Sequence, residues 1–165
     1  GLLLSERGEF LMQFHLKELT ETGQVEEFLA ELQQQLAQSY PIKLFTLSVI
    51  DMANQQARRM YSSQPDIYPV GGMKPFPENF WTEQVINNAK PFIANTLSDI
   101  KKVFFDHAVI AQLELGAVIN FPVIKNQKVI GTVNLLAQEG AYQELTTEAL
   151  ETLYPWLVIA VGEKE

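Results

Sequence analysis

The chain has 165 residues, 47% of them hydrophobic and 19% charged, with a net charge of −8 and a pI near 4.8. This is the composition of one globular domain with a core of its own, and its acidity argues against nucleic acid or an anionic membrane surface as partner, since both call for a basic face. With no cysteine, disulfides, thiolate catalysis, zinc–thiolate sites and thioether-linked chromophores are excluded, and the chain is expected to be cytoplasmic.

The opening "GLLLSERGEF" has three leucines and then charges, which is not the pattern of a secretory signal. The apolar runs "WLVIAVG" and "GAVINFPVI" are far shorter than the ~18 residues of a membrane span. A short helix is expected around residues 8–20. A clearer one follows over 24–39, where Val25, Phe28, Leu29, Leu32 and Leu36 share one face. Then the period changes. "KLFTLSVID" (43–51) sets Phe45, Leu47 and Val49 against Leu44, Thr46, Ser48 and Ile50, and predicts a strand that "ARRMYSS" (57–63) returns along. The stretch "YSSQPDIYPVGGMKPFP" (61–77), with four prolines and a Gly-Gly pair, predicts a stiff loop.

Beyond the loop, residues 77–89 predict a helix carrying Phe80, Trp81, Val85 and Ile86, and 91–95 a short strand. Residues 97–115 predict two short helices, with Ser98 capping the first and Asp106 the second. "GAVINFPVI" (116–124) and "VIGTVNLLA" (129–137) form a hairpin. Asn126-Gln127 lacks the glycine of an ideal two-residue turn, which suggests a longer loop. Pro122 belongs at an edge or a bulge. The closing helix takes its cap from Thr146 and is interrupted by Pro155. The order is that of an α+β domain, an antiparallel sheet covered on one side by terminal helices.

The half running "GAVINFPVIKNQKVIGTVNLLAQEGAYQELTTEALETLYPWLVIA" resembles a GAF domain. It has the proline-containing strand, the short turn, the "IGTVNLL" strand and the "LT.E....L" helix. The stretch "RRMYSSQPDIYPVGGMKPFPENFW" resembles a bacterial subgroup of small proteins that are mostly one such domain. The resemblance covers about 24–162 and implies a single domain over 1–165, with 8–20 as an N-terminal helical extension. It implies a GAF/PAS-like central antiparallel sheet with the N- and C-terminal helices on one face and a ligand pocket, covered by loops and helices, on the other. It also implies a sensory or regulatory role rather than an enzymatic one, with no cofactor. Without cysteine, neither a linked tetrapyrrole nor the methionine sulfoxide reductase activity of some GAF domains is expected, and the Asn-Lys-Phe-Asp-Glu signature of cyclic-nucleotide binders is absent. GAF domains often dimerise through terminal helices, which implies a homodimer.

The resemblance sets the 61–77 loop against the pocket, and the candidate ligand-binding residues are Arg59, Tyr61, Tyr68, Lys74, Trp81, Asn120 and Asn134. Arg59 and Lys74 suit a carboxylate or phosphate; the aromatic residues offer flat apolar surface with one polar tip. The expected ligand is therefore small and organic, anionic or aromatic. At most one of Arg58 and Arg59 faces the pocket, by strand alternation. Each of these residues also has an ordinary packing role open to it. Asn120 and Asn134 interrupt apolar strands and need hydrogen-bond partners if buried. An unbulged hairpin with a two- or four-residue loop sets Asn120 opposite Val133, so the two amides face opposite sides; a bulge near Pro122 reverses that. His107 follows Asp106, but helix neighbours do not face each other, so a dyad is not expected. His15 reads as structural. An alternative is a small enzyme using Tyr61, Lys74 or His107; another is an interaction scaffold with a collapsed pocket.

Overall fold

The computed structural model describes residues 6–162. Residues 1–5, part of the opening read as lacking a secretory signal, lie outside that range. The chain divides between Tyr40 and Pro41 into two compact units.

The first unit holds two helices, α1 (Glu6–Glu21) and α2 (Val25–Ala37). α2 falls where its apolar period places it, with Phe28, Leu29, Leu32 and Leu36 buried. α1 is longer than its muddier pattern suggests. Gly23 sits at φ +72, and Gln24 N donates to Leu19 O at 3.0 Å. That is a Schellman closure, which glycine makes cheaply because the left-handed conformation costs it no Cβ clash. His15, expected to be structural, is exposed.

The second unit is built on six antiparallel strands, β1 (Leu44–Asp51), β2 (Gln56–Ser62), β3 (Lys74–Pro75), β4 (Phe92–Ala94), β5 (Ala117–Lys125) and β6 (Lys128–Ala137), in the order β3-β2-β1-β6-β5-β4. β3 comes from inside the proline-rich loop, where no strand is expected. The β5–β6 turn has only two residues. Asn126 and Gln127 both take positive φ, +52 and +67, so a type I′ turn forms without the glycine that favours it. Pro122 lies past the end of β4, where its missing N–H interrupts no ladder.

Two irregularities set which side chains share a face. On β6, Ile130 is an extra residue: Ile124 pairs with Val129, but Val123 pairs with Gly131. On β2, Met60 is extra: Leu47 pairs with Tyr61, but Ser48 pairs with Arg59. A bulge of one residue shifts the alternation beyond it by one.

One face of the sheet carries Phe45, Leu47, Val49, Ile119, Val123, Val133 and Leu135, all buried. Here α6 (Tyr154–Gly162) packs on β1, β5 and β6. The approach is close at Gly131, where a Cβ would lie 2.1 Å from Val161 Cγ1. α5 (Glu148–Thr152) precedes α6, and the break at Leu153 leaves Pro155 in the first turn of α6, where no N–H is needed. The other face is covered by a π-helical turn (Thr82–Asn87), α3 (Leu97–Lys101) and α4 (His107–Gln112), around a core that includes Trp81, Val85, Ile86, Phe92, Ile100, Val103 and Ile110. Thr96, not Ser98, caps α3, accepting from Asp99 N at 3.1 Å, because the helix begins two residues earlier than a Ser98 cap implies.

Candidate functional site

Between this second face and its covering helices lies a cavity of about 140 Å³. Its floor is the sheet. Cross-strand pairing lays Asn120, Asn134 and Thr46 in one row and Thr132 and Ser48 in the next, followed by Arg59. Asn120, Asn134, Thr46 and Thr132 are all buried. Ile50, Ala57, Val118, Leu136, Phe104, Ile110 and Trp81 supply an apolar surround.

Both buried amides are hydrogen-bonded through oxygen and nitrogen. Trp81 Nε1 donates to Asn120 Oδ1 at 3.0 Å. Asn120 Nδ2 donates to Asn134 Oδ1 at 2.7 Å. Asn134 Nδ2 donates to Thr46 Oγ1 at 3.1 Å and Ser48 Oγ at 3.3 Å. Such a chain crosses three strands and reaches Trp81 beside the π-helical turn. π-helical turns are rare and occur often at functional sites.

At the mouth stand Arg59, Tyr68 and Asp106. The Arg59 guanidinium lies 3.7 Å from the Tyr68 ring centroid, donates to Pro69 O at 2.8 Å and sits 3.8 Å from Asp106 Oδ2. Tyr68 donates its phenol to Asp106 as well. One arginine thus ties the 61–77 loop to the residue before α4. Burial, and then the Asp106 charge, hold the Tyr68 phenol well above its ordinary pKa. Asp106 was expected to cap α4; its carboxylate makes no cap bond and turns to the loop instead.

Of the seven residues singled out in the sequence, Arg59, Tyr68, Trp81, Asn120 and Asn134 line the cavity. Tyr61 does not. The extra residue Met60 puts Arg59 and Tyr61 on opposite faces, and Tyr61 packs edge-on against Phe45 at 5.8 Å. Lys74 does not either: it is exposed on β3, paired with Ala57 at the sheet edge. The bulge at Ile130 brings Asn120 and Asn134 to one face. Thr46, Ser48, Thr132 and Asp106 escape the sequence reading. The first two were visible as polar residues alternating into an apolar strand; Asp106 carried no such signal.

The GAF domain model matches residues 22–160. The chain belongs to the GAF domain family. Among solved structures, it resembles the GAF domain of an Acinetobacter phosphoenolpyruvate-protein phosphotransferase, with 13% identity and a TM-score of 0.64 over 96% of this chain and 93% of that one. The GAF domain of a two-component sensor histidine kinase from Bacillus halodurans gives 13%, 0.60, 84% and 94%. A GAF domain/HD domain protein from Geobacter sulfurreducens gives 12%, 0.60, 88% and 93%. At these identities the likeness is one of fold. No curated protein matches the sequence. GAF domain relatives are sensory and regulatory domains of signalling proteins, generally not catalysts. Among the described residues, no helix is long and apolar enough to cross a membrane, and no cluster of His, Cys, Asp and Glu suits a metal ion.

Proposed function

We propose that this GAF domain binds a small organic molecule in the sheet-floored cavity and reports its occupancy through a homodimer or a partner protein. The observation that carries the reading is the buried row Asn120–Asn134–Thr46 on the floor of a cavity that Ile50, Trp81, Phe104, Ile110, Val118 and Leu136 surround with apolar surface. Each buried amide risks ~1–3 kcal/mol if left unpaired, and apolar residues would fill a core without that risk. The volume is near the ~150 Å³ of a cavity that admits benzene, and below the ~300–1,000 Å³ of drug-sized sites. The fitting ligand is therefore about one ring in size.

Aromatic and anionic ligands both find support. Trp81 and Phe104 offer ring surfaces to the cavity. An anionic group at the mouth would compete with Asp106 for Arg59, loosening the loop from α4 and so giving occupancy a structural consequence. Tyr61, Lys74 and His107, the trio that an enzyme reading would use, do not line the cavity. Half-exposed Val158 and Ile159 on α6 and exposed Phe14 on α1 are apolar residues that self-association through the terminal helices would cover. A cytoplasmic setting fits a cysteine-free acidic chain.

The test is intact mass of freshly purified protein under native and then denaturing conditions. A reproducible excess mass lost on denaturation is expected. Its absence, together with no thermal stabilisation by a library of one-ring metabolites, would overturn the reading in favour of a collapsed-pocket scaffold. A monomer by light scattering at micromolar concentration would remove the homodimer.

A further inference from the structure

The hydrogen-bond chain under the cavity has a direction, and its two ends fix it. Trp81 Nε1–H can only donate, so the Asn120 atom 3.0 Å from it must be the carbonyl oxygen. Asn120 then presents its NH₂ to Asn134, whose oxygen accepts it. Asn134 in turn points its NH₂ at β1, where the backbone carbonyl of Thr46, which can only accept, lies 3.5 Å away. Neither amide can be reversed without setting donor against donor or acceptor against acceptor.

The consequence falls on the hydroxyls. Thr46 Oγ1 and Ser48 Oγ both accept from Asn134, so their own hydrogens must be given elsewhere. Among the described residues neither hydrogen has a protein acceptor, and the Thr132 hydroxyl has no hydrogen-bond partner. All three residues line the cavity. One N–H of Asn120 is also left over once the other has gone to Asn134. The floor thus presents unspent hydrogen-bond donors, and the Trp81 indole at the β5 end of the row fixes the sense of the chain.

Resting on the cavity reading above, we propose that this floor selects a one-ring-sized ligand whose inner end is an uncharged hydrogen-bond acceptor of the carbonyl type. An ammonium or other pure donor would leave the hydroxyl hydrogens stranded. A carboxylate at this depth would lack a countercharge, because the charged lining residues, Arg59 and Asp106, stand together at the mouth. A ligand that also carries an anionic group therefore enters with that group outward, toward Arg59, and its carbonyl inward.

The experiment compares three probes of one shape: acetophenone, cumene and 1-phenylethylammonium. Their affinities for the full chain are measured by ligand-observed NMR. Acetophenone is expected to bind at least tenfold tighter than either of the other two. That preference should fall several-fold in Thr132→Val, which keeps the side-chain shape and breaks no bond within the protein. Ser48→Ala is the second variant, should Thr132→Val not fold. Equal binding of acetophenone and cumene would overturn the donor floor while leaving the pocket standing, as would tighter binding of the ammonium. Binding of none of the probes would overturn both readings.

Discussion

Asn120 stands directly opposite Asn134 across β5 and β6, and its Nδ2 donates to Asn134 Oδ1 at 2.7 Å. Counting back from the Asn126-Gln127 turn, an unbulged ladder would pair Asn120 with Val133. The extra residue Ile130 makes up the difference, so one bulge turns two amides that would face opposite sides of the sheet into a bonded pair beneath the cavity.

That pairing predicts non-additive energetics. Asn120→Leu strands the Trp81 N–H and an Asn134 lone pair; Asn134→Leu strands Asn120 and the β1 hydroxyls. Each single change is expected to cost roughly 2–3 kcal/mol, since a buried group is left unpaired. The double variant removes both partners, and should cost less than the sum by at least ~1 kcal/mol. Urea unfolding of the four proteins closes the cycle. Strict additivity would mean that the amides do not act as one unit.

Arg59→Lys keeps the charge but gives up the planar group that stacks on Tyr68 and reaches Pro69 O. The loop should come loose while the core holds. Amide exchange and proteolytic nicking within 63–77 are expected to speed up severalfold. Global stability should fall by less than ~1 kcal/mol, because the ion pair with Asp106 is long and partly exposed. An unchanged exchange pattern in this segment would show that the arginine does not hold the loop.

Tyr68 makes the same contact pH-dependent. Its phenol is held protonated in the fold, first by burial and then by the Asp106 carboxylate. The unfolded chain releases this proton near pH ~10, the folded one higher. The folded state therefore binds more protons above pH ~10, and stability must fall as pH rises through that range. Below it the contribution is fully present. Tyr68→Phe should flatten the decline in the urea midpoint between pH ~9 and ~11 relative to the parent, whose other tyrosines and lysines titrate in both proteins. Parallel curves would place the phenol in an ordinary environment.

Much of this architecture is legible in the sequence because it is periodic. The stripe Phe28, Leu29, Leu32 and Leu36 gives α2, and the alternation around Phe45, Leu47 and Val49 gives β1. The candidate site is only half legible, because it depends on breaks in period. Met60 and Ile130 are ordinary strand residues with nothing to mark them as extra, yet they decide that Tyr61 turns away from the cavity that Arg59 faces, and that the two asparagines meet. Asp106 sits where a cap belongs, and only the folded loop supplies the phenol and guanidinium that draw it away. β3 is two residues long, too short to carry any pattern.

Gly131 ties the two faces of the sheet together, and its replacement is the last prediction. A Cβ there would meet Val161 Cγ1 at 2.1 Å and the backbone oxygen of Ser48 at 2.5 Å. The valine can rotate or be trimmed; the carbonyl belongs to the β1–β6 ladder and cannot move alone. Gly131→Ala is expected to cost about 3 kcal/mol, as overpacking of a tight core does, and to lower Tm by roughly 6–12 °C. Val161→Ala in the same chain should restore only part of that loss, because the clash with the Ser48 carbonyl persists. Since Ser48 carries a floor hydroxyl on the opposite face, amide shifts at Ser48 and Thr132 should accompany the destabilisation. Full recovery in the double variant would assign the whole effect to α6 packing and leave the cavity floor untouched.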